Sequence, residues 1–358
     1  MCAFLRLCLG VFLALAALPL AAVGTAAAAP ADFTVQAGAV PSGPPANWDV
    51  WAMLFEPTSL TIDAGDSVTW NIAGAHTVTF GAPPPGPPDL APVGGTGFSG
   101  SGLVSSGLLM QGQHYQLTFP KAGTYTYGCL IHPASMKGSV VVQPAGTPYP
   151  VAPGSDHPAS NPAFSSALSA GQAAIAAQTV QHTTSATGVS TWTLAAGFGD
   201  GKSYAAERFG SPSLTIHTGD TVVWTQNDPN ELHTVTFLNP GQDVPFALPT
   251  GALNPQALAP AGGKTYAGSG FFNSGGMGPG QRYTLTFSTA GTYTYKCLLH
   301  DEFGMVANLT VVGATPAQIP AAMPSTGSGG GAALWGGLLL FGLLTVGLGL
   351  TRLAARRS

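Results

Sequence analysis

Apolar and polar positions alternate through the middle of this chain. The stretches "SLTI" (Ser59–Ile62), "SVTW" (Ser67–Trp70), "TVTF" (Thr77–Phe80) and "TYTY" (Thr124–Tyr127) each turn every second side chain to an apolar face. That is the period of a half-buried strand. Gly-Asp and Ala-Gly pairs separate the stretches and supply tight turns, so the middle of the chain predicts a β-sandwich. The ends break this rhythm. Residues 1–29 hold one early basic residue, Arg6, then an apolar run and an alanine tract, the layout of a secretory signal peptide. Residues 332–351 are uncharged as far as Leu350, which is long enough for a membrane-spanning helix, and the tail 352–358 carries Arg352, Arg356 and Arg357. The positive-inside tendency puts that tail in the cytoplasm and the body of the protein outside.

The alternating region occurs twice. "FEPTSLTIDAGDSVTWNIAGAHTVTF" from Phe55 matches "FGSPSLTIHTGDTVVWTQNDPNELHTVTF" from Phe209, and "GQHYQLTFPKAGTYTYGCLIH" from Gly112 matches "GQRYTLTFSTAGTYTYKCLLH" from Gly280. Internal repetition of this kind predicts two all-β, Greek-key sandwich domains, 33–143 and 189–313, each long enough to bury a core. The segment between them, 144–188, reads as a linker. Within it Asn161 as N-cap and Pro162 in the first turn predict a short helix, whose alanine-rich face has little to bury. Residues 314–331, rich in Gly, Pro and Ser, read as a flexible stalk.

Charge narrows the partners. Only 7% of residues are charged. Without Arg6 and the three tail arginines, seven basic residues face fifteen acidic ones, a balance of −8. No basic patch is available to neutralise phosphates, which excludes nucleic acid as a partner.

The chemistry sits in one repeated cluster. "YGCLIHPASM" (Tyr127–Met136) and "YKCLLHDEFGM" (Tyr295–Met305) each place a Cys, a His and a Met close together, and His76 and His233 open the matched "HTVTF" segments upstream. Cys2 and Cys8 leave with the leader, so Cys129 and Cys297 remain. A single disulfide is one use for them; a metal-held thiolate in each domain is another, and the repeat favours one use per domain. Two imidazoles and a thiolate form a trigonal set suited to both Cu(I) and Cu(II), with a thioether as a weak axial contact.

In this order, His…Cys-x-x-His…Met, the chain resembles the cupredoxins of the plastocyanin, amicyanin and pseudoazurin type. The resemblance implies two type 1 copper ions, one per domain. The first would be held by His76, Cys129 and His132 with Met136 axial, the second by His233, Cys297 and His300 with Met305 axial. The second loop has the plastocyanin spacing, whereas the first resembles the amicyanin loop with one extra residue before Met136. Thr77 and Thr234 stand where the family commonly has Asn. The family's electron port, the exposed edge of the second His, would be rimmed by Pro133 and Ala134 in one domain and by Asp301 and Glu302 in the other. On charge alone those acids would lower the potential of the second site. Near the C-terminus "MPSTG" (Met323–Gly327) resembles a Leu-Pro-x-Thr-Gly sorting motif with Met in place of Leu, so sortase attachment to the cell wall and a plain membrane anchor are both open.

The function implied is single-electron transfer between redox proteins of the cell envelope, by a protein anchored at the outer face of the membrane or wall. It is not that of an enzyme: copper oxidases and nitrite reductases need further histidines, and this chain has no His-x-His and no His beside either cysteine. Copper sequestration without a redox partner is the alternative.

Overall fold

Each Gly-Asp turn does more than reverse the chain. Asp66 accepts from the amides of Asp63 (2.8 Å) and Ala31 (2.8 Å), and its repeat partner Asp220 accepts from those of His217 (3.0 Å) and Ser190 (2.7 Å). Both carboxylates are buried and fully used, so one side chain fixes a turn and ties it to the first strand of its domain. The computed structural model describes residues 29–314 apart from 86–87, 156–157, 247 and 249–252. The leader, most of the stalk, the transmembrane segment and the tail expected from the sequence lie outside the described residues. Among the described residues no helix is long and apolar enough to cross a membrane.

Each repeat folds as a two-sheet sandwich. In the first, one sheet orders the strands Val50–Glu56, Asp32–Ala39, Ser67–Ile72 and His114–Thr118, and the other orders Ser59–Asp63, Lys137–Gln143, Gly123–Gly128, Thr79–Phe80 and Val104–Ser105. The second repeat has the same two orders, from Tyr204–Phe209, Ser190–Gly199, Thr221–Asn227 and Arg282–Phe287, and from Ser213–His217, Val306–Val312, Gly291–Lys296, Thr236–Phe237 and Phe272–Asn273. Matched aromatics fill the two cores. Trp70 meets Tyr127 edge-on at 5.3 Å, and Trp224 meets Tyr295 at 5.3 Å.

The sandwiches are not separate beads. Val50–Glu56 pairs antiparallel with Tyr204–Phe209 and fuses one sheet of each domain into a single ten-stranded sheet. The register is Tyr204↔Ala52, Ala205↔Trp51 and Ala206↔Val50. Trp51 and Ala205 are matched positions of the repeat, so the junction has a local pseudo-twofold, as in an isologous dimer joined through its edge strands. Pairing also removes an exposed edge from each domain. An ion pair from Arg208 to Asp49 (3.2 Å) and stacking of Trp48 on Phe303 (5.9 Å) extend the contact.

The linker takes part. Asn161 caps the helix Pro162–Ala176 by accepting from the Ala163 amide, as the sequence predicts. The expectation that this helix buries little is overturned: Phe164, Ala167 and Gly171 are buried, with the helix lying over the two strands of the junction. A Cβ at Gly171 would come within 2.2 Å of Val50 Cγ1, so the small residues permit close approach rather than idleness. The strand Gln181–Thr184, in the stretch read as linker, adds to the sheet beside Ser190–Gly199.

Candidate metal centres

In the first domain His76 lies on a two-residue strand held by Leu109–Met110, and Cys129 follows the end of Gly123–Gly128. The loop then folds back on itself: the Cys129 amide donates to Met136 O (3.1 Å) and the Met136 amide to His132 O (3.1 Å). His76 Nδ1 thereby comes within 3.0 Å of His132 Nδ1, and Cys129 Sγ within 3.5 Å of that nitrogen. All three side chains are buried. Met136 is wholly buried in the core cluster that includes Cys129. In the second domain His233 Nδ1 and His300 Nδ1 are 3.2 Å apart, and Cys297 Sγ lies 3.5 Å from His300 Nδ1 and 3.9 Å from His233 Nδ1. Met305 is buried with Cys297 in the same way. Both cysteines are free thiols, which removes the disulfide alternative. Nitrogens and sulfur converging this closely from two segments, in a dry core, suit a soft cation with mixed N and S preference.

The threonines replace the missing amide in a specific way. Thr77 N–H donates to Cys129 Sγ (3.2 Å) while its hydroxyl accepts from Leu130 N (2.8 Å); Thr234 does the same with Cys297 Sγ (3.3 Å) and Leu298 N (2.8 Å). One residue therefore stabilises the thiolate and ties the upstream His segment to the cysteine loop. A further pair escaped the sequence reading. Gly38 (φ +75°) and Gly197 (φ +77°) sit against the outer edges of the upstream histidines, where a Cβ would meet His76 Nε2 at 2.2 Å and His233 Nε2 at 1.9 Å. Their signal was available as the matched Ala-Gly of "QAGA" and "AAGF".

Around these shared parts the centres differ. His76 Nε2 is bonded to Ala73 O (2.9 Å), whereas His233 Nε2 has no aligned partner and faces Asp228 Oδ2 at 3.9 Å. Glu207, wholly buried, brings Oε2 to 3.0 Å from His300 Nδ1 and 3.8 Å from His233 Nδ1. The matched position in the first domain is Met53. Burial, with Glu231 and Asp228 nearby, drives the Glu207 carboxyl well above its usual range, and burial with Asp228 does the same to Glu231. The thiols diverge too. Burial alone would raise Cys129, but the His132 charge and hydrogen bonds from His132, Thr77 and Ile131 bring it below its ordinary value. Cys297 is pushed up to about 12, by burial first, with Glu207 adding to it against amide hydrogen bonds.

The expectation of two exposed electron ports is overturned. His132 is 1% exposed and His300 6%, because the junction turns them inward toward each other. Glu231 stands between them, with Oε1 2.5 Å from His132 Nε2 and Oε2 3.6 Å from His300 Nε2. Trp51 forms a second link, meeting His76 edge-on at 6.3 Å and His300 at 6.4 Å. The charge attributed to the Asp301 rim is likewise altered, since Asp301 is paired with Lys296 at 2.5 Å. Asp228 and Glu231 lie in the segment Trp224–His233, which is three residues longer than Trp70–His76. That insertion was the legible clue to them. His114 is exposed and His217 half-buried, neither grouped with the ligand sets, and Trp70 and Trp224 are wholly buried in the two cores. Met277 pairs through its backbone with His233, and Met110 occupies the corresponding strand beside His76, so both brace the ligand segment.

The family described as copper binding proteins, plastocyanin/azurin family, matches residues 46–143 and 200–312. Plastocyanin from Scenedesmus fuscus is 38% identical over 116 residues, covering 31% of this chain and 100% of that protein. Amicyanin from Paracoccus denitrificans is 35% identical over 97 residues, 26% of this chain and 63% of its own length. A solved structure of an amicyanin variant in its reduced state is 30% identical over 31% of this chain and 82% of its own, with a TM-score of 0.21.

Proposed function

The chain belongs to the plastocyanin/azurin family of copper-binding proteins, with a His-Cys-His copper site in each domain, and from that premise we propose that it carries single electrons through two copper sites that exchange them within the molecule. Copper supplies the one-electron couple. His76, Cys129 and His132 would hold the first ion and His233, Cys297 and His300 the second, with the buried Met136 and Met305 offering thioether sulfur beside each cysteine. The rigid sandwich and the two threonine ties hold these ligands through a change of oxidation state.

The observation that carries the reading is Glu231 lying between the outer nitrogens of His132 and His300. Bonded and close non-bonded contacts then run from one ligand set to the other without crossing solvent. A sequestering protein has no use for such a link, and two independent carriers would leave each second His at the surface. No His-x-His pair is present to build a further copper site of the oxidase kind. The leader and the apolar C-terminal segment support a location outside the cell, tethered to the membrane or, through the sorting motif, to the wall, where redox proteins of the envelope are the partners.

Rapid photoreduction of the copper-loaded chain tests the reading. A fast absorbance change at one site should be followed by a slower internal phase independent of protein concentration, and Glu231→Ala should retard that phase. An equilibration whose rate scales with concentration would show that electrons pass between molecules instead. Truncation after Ala322 should release a soluble, copper-binding protein into the medium; retention on cells would contradict the anchor.

A further inference from the structure

We propose that Glu207 is a ligand of the second copper, so that the two sites are of different chemical types: trigonal His-His-Cys with a thioether in the first domain, and the same set with an added carboxylate in the second. The inference rests on the reading of the second domain as a copper site.

Glu207 reaches the centre from the strand Tyr204–Phe209, whose amide at this position donates to Asp49 O across the junction (3.0 Å). The backbone is therefore fixed by pairing with the first domain, and the side chain is aimed inward by the pleat. Its residue exposure is 0%, and neither carboxylate oxygen has an aligned hydrogen-bond partner among the described residues. The groups within ion-pair reach of it are His300 and His233, approached at the nitrogens that converge with Cys297. Its other charged neighbours, Glu231 and Asp228, are acids and only worsen its position.

A buried carboxylate with no aligned donor among the described residues, and only two imidazoles within ion-pair reach, is costly to keep. Such a group persists where a cation compensates it, and the cation's place is marked by the converging donors of His233, Cys297 and His300, two of which lie within 3.8 Å of Glu207 Oε2. A structural ion pair with His300 is a poor substitute. The contact falls on Nδ1, which the convergence of donors assigns to the metal, and the imidazole sits beside a second imidazole at 3.2 Å. The first domain provides the control inside the same molecule. Met53, at the matched position, is apolar and wholly buried, and the carboxylate that the described residues do bring to a ligand of that centre, Glu231, meets the outer Nε2 of His132.

An anionic oxygen donor would favour Cu(II) over Cu(I) and would weaken the copper's overlap with the thiolate. The second site should therefore show less of the long-wavelength blue absorption, a wider copper hyperfine splitting and a lower potential than the first. The probe is Cu(II) added to the full chain carrying Cys129→Ala, in which Cys297 is the only thiolate able to give the sulfur-to-copper band. Spectra and potential are compared with and without Glu207→Gln and Glu207→Met, with circular dichroism confirming the fold. Glu207→Met should shift absorption to longer wavelength, narrow the splitting and raise the potential toward the values of the Cys297→Ala chain. The near-isosteric Glu207→Gln should move them in the same direction by less. If the band is present but unchanged by both substitutions, Glu207 is no ligand. If the Cys129→Ala chain gives no sulfur-to-copper band at all, the second copper site is itself wrong and the ligand assignment falls with it.

Discussion

The two metal centres are built on one frame and set in different surroundings. Glycine behind the first histidine, threonine beside the thiolate, and Cys, His and Met on a single loop recur in both domains, at matched positions and with hydrogen bonds that agree within a few tenths of an ångström. What differs is charge. Around the first centre the neighbouring positions hold Met53 and a backbone carbonyl; around the second they hold Glu207 and Asp228, with Glu231 shared between His132 and His300. The divergence gathers at the junction, on the one strand that crosses to the other domain and on a three-residue insertion next to it. The ligand frame, fixed by strand geometry, is the same in both repeats, and the charged surroundings at the junction are not.

The strongest test of the shared frame is glycine. Gly38→Ala and Gly197→Ala should each abolish the sulfur-to-copper absorption of their own domain and spare the other. The new Cβ must displace the imidazole, and a left-handed φ costs a non-glycine residue about 1–2 kcal/mol besides. Absorption spectra of the two variants decide it, and loss of both bands in either variant would break the comparison. Trp51→Ala comes next. Trp51 is 2% exposed and touches histidines of both centres, so about 3–5 kcal/mol of stability should be lost, read from denaturant midpoints, with both copper spectra perturbed. A change confined to one spectrum would mean that the link through Trp51 is one-sided.

Smaller effects sharpen the comparison. Thr77→Val and Thr234→Val leave the amides of Leu130 and Leu298 unpaired, at about 1–3 kcal/mol each. Leu298 is buried and Leu130 only half-buried, so the second substitution should cost more by thermal unfolding of the apoprotein. The smallest effect lies in the connection before the junction strand, a tight Asp200–Ser203 turn in the second domain. Burial alone would raise the Asp200 carboxyl, but the Ser203 amide and hydroxyl and the amides of Lys202 and Tyr204 hold it below its ordinary value. Its folded value lies under its unfolded one, so its contribution is present above about pH 4 and fades as pH falls through the folded value. Asp200→Asn should cost about 0.5–1 kcal/mol near neutral pH, with solvent screening keeping it small, and the deficit should shrink in acid.

The fold was largely legible. Period-2 alternation marked the strands, Gly-Asp marked the turns, and the matched segments from Phe55 and Phe209 marked two domains. The ligand residues were legible because Cys, His and Met at short spacing are rare and here occur twice. The junction was not. Nothing in "VWAMLFE" or "YAAERF" distinguishes a strand that pairs with another domain from one that faces water, since pairing depends on an edge and not on a pattern. The buried acids were hidden for the same reason: Glu207 lies in an ordinary alternating strand, and its environment exists only once the other domain is in place. The inward turn of His132 and His300 followed from the junction, and with it the failure of the surface-port expectation.

If the two coppers face each other inside one molecule, paramagnetic resonance of the oxidised chain will register their coupling. Spectra recorded at less than one copper per chain and at two should differ. As the second site fills, dipolar coupling should broaden the lines and bring up a half-field transition, and both should persist on dilution. A fully loaded spectrum that is the plain sum of two isolated copper signals would contradict the account.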